Sequence, residues 1–264
     1  MVKSAILIKG VVFAQLLLTL TGLRAAEITT FYQDSYPKYI QTDGGFGGLC
    51  MDLIAAVETK IGSKVVNKGV PDNAFRPLKR IQVDIEQGNI DVFFCLAKNS
   101  KREKLFDYIS TPLYEVNHVV AVRSGEHVDI QNLDDIRDLT SATILTNFGT
   151  ATERFLNSQI GLTVDATADS LELNLRKLLL GRGEFVYFHD IGLYSTIRQK
   201  FPKEELDVLP AKFRSYYHYL VVSKEAPNGL RETLEKAIRE LNQDGTLATI
   251  IKKYKTIEES PDGS

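Results

Sequence analysis

The chain has only two cysteines, Cys50 and Cys95, and four histidines, His118, His127, His189 and His218. Neither set has the close spacing of a zinc or other transition-metal site, so no metal ligands are expected. The glycines of Gly44-Gly45-Phe46-Gly47-Gly48 lack the following Lys-Ser/Thr of a phosphate loop, and no G-x-S-x-G nucleophile motif occurs. No cofactor is therefore expected. Pro/Gly-rich linkers, internal repeats and low-complexity tracts are missing as well, so any domain boundary must be crossed by structured chain. An excess of positive charge is also lacking, with 32 Lys and Arg against 34 Asp and Glu. That balance argues against a nucleic-acid partner, which calls for clustered basic charge.

What is present begins with a leader. Lys3 and Lys9 precede an apolar core from Gly10 to Leu23, and Leu23-Arg24-Ala25-Ala26 closes it with small residues, the layout of a secretory signal peptide over residues 1–25. The core falls short of the ~20 residues that span a bilayer, and no later run is apolar enough. No cysteine stands at the cleavage point to carry a lipid. The expected mature protein is a free monomer in the periplasm, and losing Lys3, Lys9 and Arg24 lowers its 32 basic residues to 29 against 34 acidic ones, a net charge of about −5. An exported compartment permits Cys50 and Cys95 to pair. Their separation in space is not readable from sequence, and pairing stays open.

Short β-type runs alternate with helical patterns along the rest. Strands are predicted at Ile28-Tyr32, Lys64-Lys68, Ile90-Cys95, His118-Arg123, Ala142-Asn147, Glu184-Phe188 and Tyr217-Ser223. Helices are predicted at Asp52-Ile61, Pro77-Gln87, Leu133-Asp138, Thr152-Ser158, Ser170-Leu180, Ile191-Lys200 and Leu230-Asn242. The fold class is α/β. Asp52 is placed to cap the first helix, and Gly245 after Asp244 to separate the last helix from a further one.

The most informative stretch is Gln87-Gly88-Asn89-Ile90-Asp91-Val92-Phe93-Phe94-Cys95, followed by Asn99-Ser100-Lys101-Arg102 and by Phe106-Asp107-Tyr108-Ile109-Ser110-Thr111-Pro112-Leu113-Tyr114. An apolar strand stops at a polar loop that offers a guanidinium beside amide and hydroxyl groups, as a strand-end anion site would. The charge run Lys98 to Lys104 also reads as ordinary solvated surface. The order is similar to the bacterial extracellular solute-binding proteins of family 3, the amino-acid receptors of the type II periplasmic binding fold. Tyr36-Pro37-Lys38-Tyr39 with Gly47 to Leu53 near the start, and Asp244-Gly245-Thr246-Leu247 with Lys252-Lys253-Tyr254 near the end, resemble that family's conserved ends.

The resemblance implies two α/β lobes joined by two crossings, near Tyr114-Arg123 and Lys212-Val222, with a ligand cleft between them. Lobe 1 would be discontinuous, 26–115 and 216–255, lobe 2 would span 116–215, and residues 256–264 would form a disordered tail. It also implies that Arg102, with Asn99 where the family has Thr, grips a ligand carboxylate. Asn147-Phe148-Gly149-Thr150-Ala151-Thr152-Glu153 turns from a strand into a helix, where free N–H groups at Thr150 and Ala151 would attract the same anion. Ordinary helix capping explains that turn equally well. In Gly181-Arg182-Gly183-Glu184-Phe185-Val186-Tyr187-Phe188-His189-Asp190 the family's ammonium-binding Asp corresponds either to Asp190, after a one-residue bulge, or to His189. Of Tyr32, Tyr36 and Tyr39, at a strand end facing the crevice, Tyr36 is taken as a pocket wall. Arg76 is a further candidate for an acidic ligand group, with a surface role the stronger reading.

The expected function is capture of an amino acid or similar small carboxylate by cleft closure, with presentation to an inner-membrane transporter of the ABC type or to a sensor. The alternatives are a sensory receptor and a periplasmic dehydratase-like enzyme, for which His189 or Glu184 would supply the proton donor or acceptor. Fold alone does not separate binding from catalysis.

Overall fold

The computed structural model describes residues 27–126, 129–203 and 206–256. The predicted signal peptide and the tail from residue 257 lie outside the described residues. In chain order, strand β1 (Ile28–Thr30) leads to the hairpin β2 (Ile40–Thr42) and β3 (Gly45–Gly47), helix α1 (Leu49–Ile61), β4 (Val65–Asn67), α2 (Leu78–Glu86) and β5 (Val92–Ala97). A 3₁₀ turn (Arg102–Lys104) and the short β6 (Asp107–Tyr108) precede the long strand β7 (Tyr114–Arg123). Next come α3 (Leu133–Arg137), β8 (Thr143–Asn147), α4 (Ala151–Asn157), β9 (Thr163–Ala168), α5 (Leu171–Leu179), β10 (Phe185–His189), α6 (Asp190–Lys200) and β11 (Leu206–Val208). A second long strand, β12 (Arg214–Val222), returns the chain to α7 (Leu230–Gln243) and α8 (Thr246–Lys252).

The path β5-β12-β7-β10-β8-β9 runs through one sheet, with β6 on β12 and β11 on β7. β7 and β12 pair antiparallel from Arg214↔His118 to His218↔Tyr114. Beyond that overlap they part company. β7 continues against β10 and β11, while the far half of β12 pairs with β5. Two strands thus carry the chain between separate hydrophobic cores. The largest core draws on residues from Ile28 to Val116 and from Leu220 to Ile250, joined by Ile191 of α6. The other two lie on opposite faces of the remaining sheet, because alternate residues of one strand point to opposite sides. Val119, Ala121, Leu145 and Val186 pack in one and Val120, Val122, Ile144, Phe185 and Tyr187 in the other. Fully burying a side chain such as Leu175 or Phe185 contributes roughly 1.5–3 kcal/mol, so each lobe has its own source of stability.

One helix start differs from the sequence reading in a way that matters for the cleft. α1 begins at Leu49, and its cap is Gly48, not Asp52. Gly48 has φ 103°, and a Cβ there would lie 2.6 Å from the Pro37 carbonyl oxygen. This close approach lets the free N–H groups of Leu49 and Cys50 donate to the carbonyls of Pro37 and Lys38, at 3.0 and 2.8 Å. Asp52 instead sits in the first turn and accepts a hydrogen bond from Tyr254. At the other end of the chain Gly245, with φ 81°, separates α7 from α8.

Cys50 in α1 is disulfide-bonded to Cys95 in β5, with Cα atoms 6.4 Å apart. Cys95 lies at the irregularity where β5 carries one residue more than β12, and its φ is +64°. That bulge re-aims the backbone, and the Cys95 carbonyl accepts from the Lys38 ammonium at 3.3 Å.

Candidate functional site

The two crossing strands, the turn held by α1 and the start of α6 meet around a cavity of about 130 Å³. The turn supplies Ser35, Pro37 and Lys38, β7 supplies Tyr114 and Val116, and β12 supplies Tyr216 and His218. From the far lobe come His189, the last residue of β10, and Ile191 in α6. Val116 and Ile191 give the cavity apolar walls, and the remaining polar lining consists of hydroxyls, imidazoles and one ammonium. The volume suits a small solute.

Each polar group is held by an identifiable contact. His218 Nδ1 lies 2.7 Å from the Tyr114 hydroxyl, and the rings of Tyr114 and Tyr216 pack edge-on or tilted against that imidazole. Burial raises the pKa of both tyrosines, so the phenols stay neutral. His189 caps α6, its Nδ1 accepting from the Gly192 N–H at 3.0 Å. Its proton therefore sits on Nε2. A Cβ at Gly192 would lie 2.5 Å from His189 Cε1, so any larger residue there would displace the imidazole. Burial, with Lys38 second, pushes the His189 pKa down to about 3, and burial pushes His218 well below the usual imidazole range. Both rings are neutral near pH 7.

Lys38 is the charged group of the cavity. Loss of hydration, followed by repulsion from Arg102, draws its ammonium down to about 8, which leaves it mostly protonated at pH 7. Arg102 stands at the start of the 3₁₀ turn, where its Nη1 donates to the Ala97 carbonyl and its Nε to Gln82 Oε1. It does not line the cavity, but its charge also depresses the His218 pKa. A bound anion would face Lys38 directly and Arg102 from behind.

Asp190 is 4% exposed and lies behind His189. Its carboxylate accepts from the Asn117 backbone at 3.3 Å and side chain at 3.0 Å, from the Ile191 N–H at 2.8 Å, and from the Lys255 ammonium at 2.7 Å. Lys255, just beyond α8, donates also to the Glu115 carbonyl at 3.0 Å. Two further contacts reach α6 from the first lobe. The Tyr36 hydroxyl donates to the Ser195 carbonyl at 3.2 Å, and Arg198 donates to the Lys253 carbonyl at 2.6 Å.

Of the residues singled out from sequence, His189 lines the cavity and Asp190 supports it. Tyr36, 40% exposed, does not line the cavity and borders a second hollow with Ile40, Leu171 and Thr196. Asn99 is exposed, and its side chain accepts from the N–H groups of Lys101 and Arg102. Thr150 caps α4, accepting from the Glu153 N–H, while Gly149 donates to the Glu153 carboxylate. Ala151 is exposed at the same turn. Arg76 stacks 4.0 Å from the Phe31 ring and pairs with Asp84. None of these four lines the cavity. Sequence reasoning missed Lys38, Tyr114, Tyr216 and His218 as lining residues. Lys38 had one signal, a lone cation between Pro37 and Tyr39 in an aromatic turn.

The model of the bacterial extracellular solute-binding proteins, family 3, matches residues 28–257. The chain belongs to this family. A curated relative, the "Probable amino-acid-binding protein YxeM" of Bacillus subtilis (strain 168), is 21% identical over 221 residues, covering 83% of this chain and 80% of the relative. Among solved structures, the substrate binding domain 2 of Lactococcus lactis GlnP in its open conformation shares 20% identity with a TM-score of 0.69, covering 90% of this chain and 97% of that one. An ancestral cationic amino acid solute binding protein shares 15% identity with a TM-score of 0.71, covering 88% of this chain and 96% of that one. At these identities the structures share the two-lobe fold. The family and these relatives are binding proteins, and among the described residues no helix is long and apolar enough to cross a membrane.

Proposed function

We propose that the cavity between the lobes is the solute site, that it takes an amino acid or similar small carboxylate, and that the loaded protein delivers it to an ABC-type transporter from the periplasm. The observation that carries this reading is the Lys38 ammonium in a small cavity at the lobe junction, with the Arg102 guanidinium behind it. A carboxylate entering there exchanges hydration for a charge-assisted contact in a site of low dielectric, where such contacts are strong. His189 Nε2–H and the tyrosine hydroxyls complete the donors. The names of two of the relatives, which refer to amino-acid binding, support the same reading.

The protein acts in this reading as a monomeric binder and not as an enzyme. With Nδ1 tied to the Gly192 N–H and its pKa depressed, His189 orients a ligand and is poorly suited to proton transfer near pH 7. Thermal unfolding against small amino acids and carboxylates tests it. A ligand present at a hundred times its Kd adds ~2.7 kcal/mol of stability, and that shift should disappear in Lys38→Met and shrink in Arg102→Ala. A shift indifferent to Lys38 would remove the site assignment.

A further inference from the structure

Resting on the reading that this cavity is the solute site, we propose that it selects small carboxylates that lack an ammonium, such as 2-oxo and 2-hydroxy acids, over the corresponding amino acids. The argument concerns what could receive an ammonium. No carboxylate lines the cavity. Lys38 is a donor only. His189 has its acceptor nitrogen engaged by Gly192 and turns a donor, Nε2–H, to other partners. Cys95 O, beside Lys38, already accepts from it.

The nearest carboxylate is Asp190, and it is taken. Four donors engage its two oxygens, and the positive charge that balances it is the chain's own Lys255. An amino acid in this cavity would therefore hold its ammonium close to Lys38, within the field of Arg102, with no buried anion of its own. A like charge without a partner is strongly disfavoured in such surroundings. The 2-oxo or 2-hydroxy counterpart presents the same carboxylate to Lys38, and its neutral oxygen can accept from His189 Nε2–H or a tyrosine hydroxyl. A lining with donors and neutral hydroxyls but no carboxylate fits that ligand better than the zwitterion.

The test is calorimetric titration of the purified protein with matched pairs that share a side chain: L-alanine with pyruvate and L-lactate, L-leucine with 4-methyl-2-oxovalerate, and L-glutamate with 2-oxoglutarate. In the pair that binds, the acid without the ammonium should bind at least about tenfold tighter, since ~1.4 kcal/mol corresponds to tenfold. His189→Asp, which keeps a capping acceptor at the start of α6, should narrow or reverse that ratio by adding a carboxylate to the cavity. Lys255→Met, which leaves the lining unchanged and uncovers the charge of Asp190, should narrow it in the same direction. Tighter binding of the amino acid, lost in Lys38→Met, would overturn this inference and leave the solute-site reading intact. Failure of every member of the pairs to bind would bring down both. A ratio unmoved by either variant would show that the preference does not arise from the missing anion.

Discussion

Replacing Asp190 by Asn should show that this carboxylate belongs to the architecture of the lobe junction. The substitution preserves shape and one acceptor oxygen, which can still serve the N–H groups of Asn117 and Ile191. It puts an amide NH₂ against two donors, the Lys255 ammonium and the Asn117 side chain. Breaking a buried ion pair by removing one partner costs about 3–5 kcal/mol. Lys255 keeps a quarter of its side-chain surface exposed and can turn toward water, so the expected loss is reduced to about 2–4 kcal/mol. For a chain of this size that corresponds to roughly 4–16 °C in the unfolding midpoint. The assay is thermal and urea unfolding of the ligand-free protein at pH 7, with Lys255→Met and the double variant alongside. Because the two side chains are in contact, the double variant should lose less than the sum of the singles, by about 0.5–3 kcal/mol. An Asp190→Asn protein as stable as the parent, or strict additivity in the cycle, would refute this account of the junction.

Three further outcomes can be measured. Reducing Cys50–Cys95, or replacing both by Ala, opens a loop spanning a separation of 45 residues, and the chain-entropy relation gives a loss of about 4 kcal/mol, readable by urea unfolding with and without reductant. A parent and reduced protein with equal midpoints would contradict it. Gly48→Ala places a Cβ 2.6 Å from the Pro37 oxygen at φ 103°, so it should cost about 1–3 kcal/mol of stability and also weaken solute binding, since the same turn carries Lys38. Retained affinity would show that the turn does not position the site. Acid should destabilise the protein below pH 6.5. Burial lowers the pKa of His118 to about 4 and of His189 to about 3, so the unfolded chain binds protons that the native one refuses. The stability these neutral rings contribute is whole above pH 6.5 and is lost as pH falls toward those values, at about 1 kcal/mol or slightly more per pH unit for each ring. A denaturation midpoint that is flat between pH 7 and 5 would count against their neutral burial.

Much of the fold was legible because it is written in local signals. The apolar run Val92 to Leu96 is buried on both faces and reads as a strand without any tertiary knowledge. Ser170 before a helical period marks the start of α5, and it does cap that helix. β9 escaped because Thr163–Ala168 is exposed or half-buried along most of its length and carries little apolar alternation. β2 and β3 escaped because none of their residues is buried and β11 because only Leu206 is, whereas the equally short β1 and β4 are buried at both ends. The start of α1 was misplaced because Asp52 looks like a cap, whereas the actual cap, Gly48, is selected by its close contact with Pro37, a contact that sequence does not display.

The sequence by itself determined the α/β order of elements, the family to which the chain belongs, and the short list of charged and aromatic residues from which a site could be built. Those properties depend on periodicity, capping chemistry and motif order, all of which act over a few residues. Only the tertiary structure decided that His189 and not Asp190 lines the cavity, that Lys255 closes on Asp190, and that Lys38 is the cation in the cavity lining. The cavity gathers residues from 35 to 218, and which of two adjacent side chains faces it depends on the register of strands paired across the lobe junction. Burial and charge at such a place are sums over distant neighbours. They come into existence only when the chain has folded.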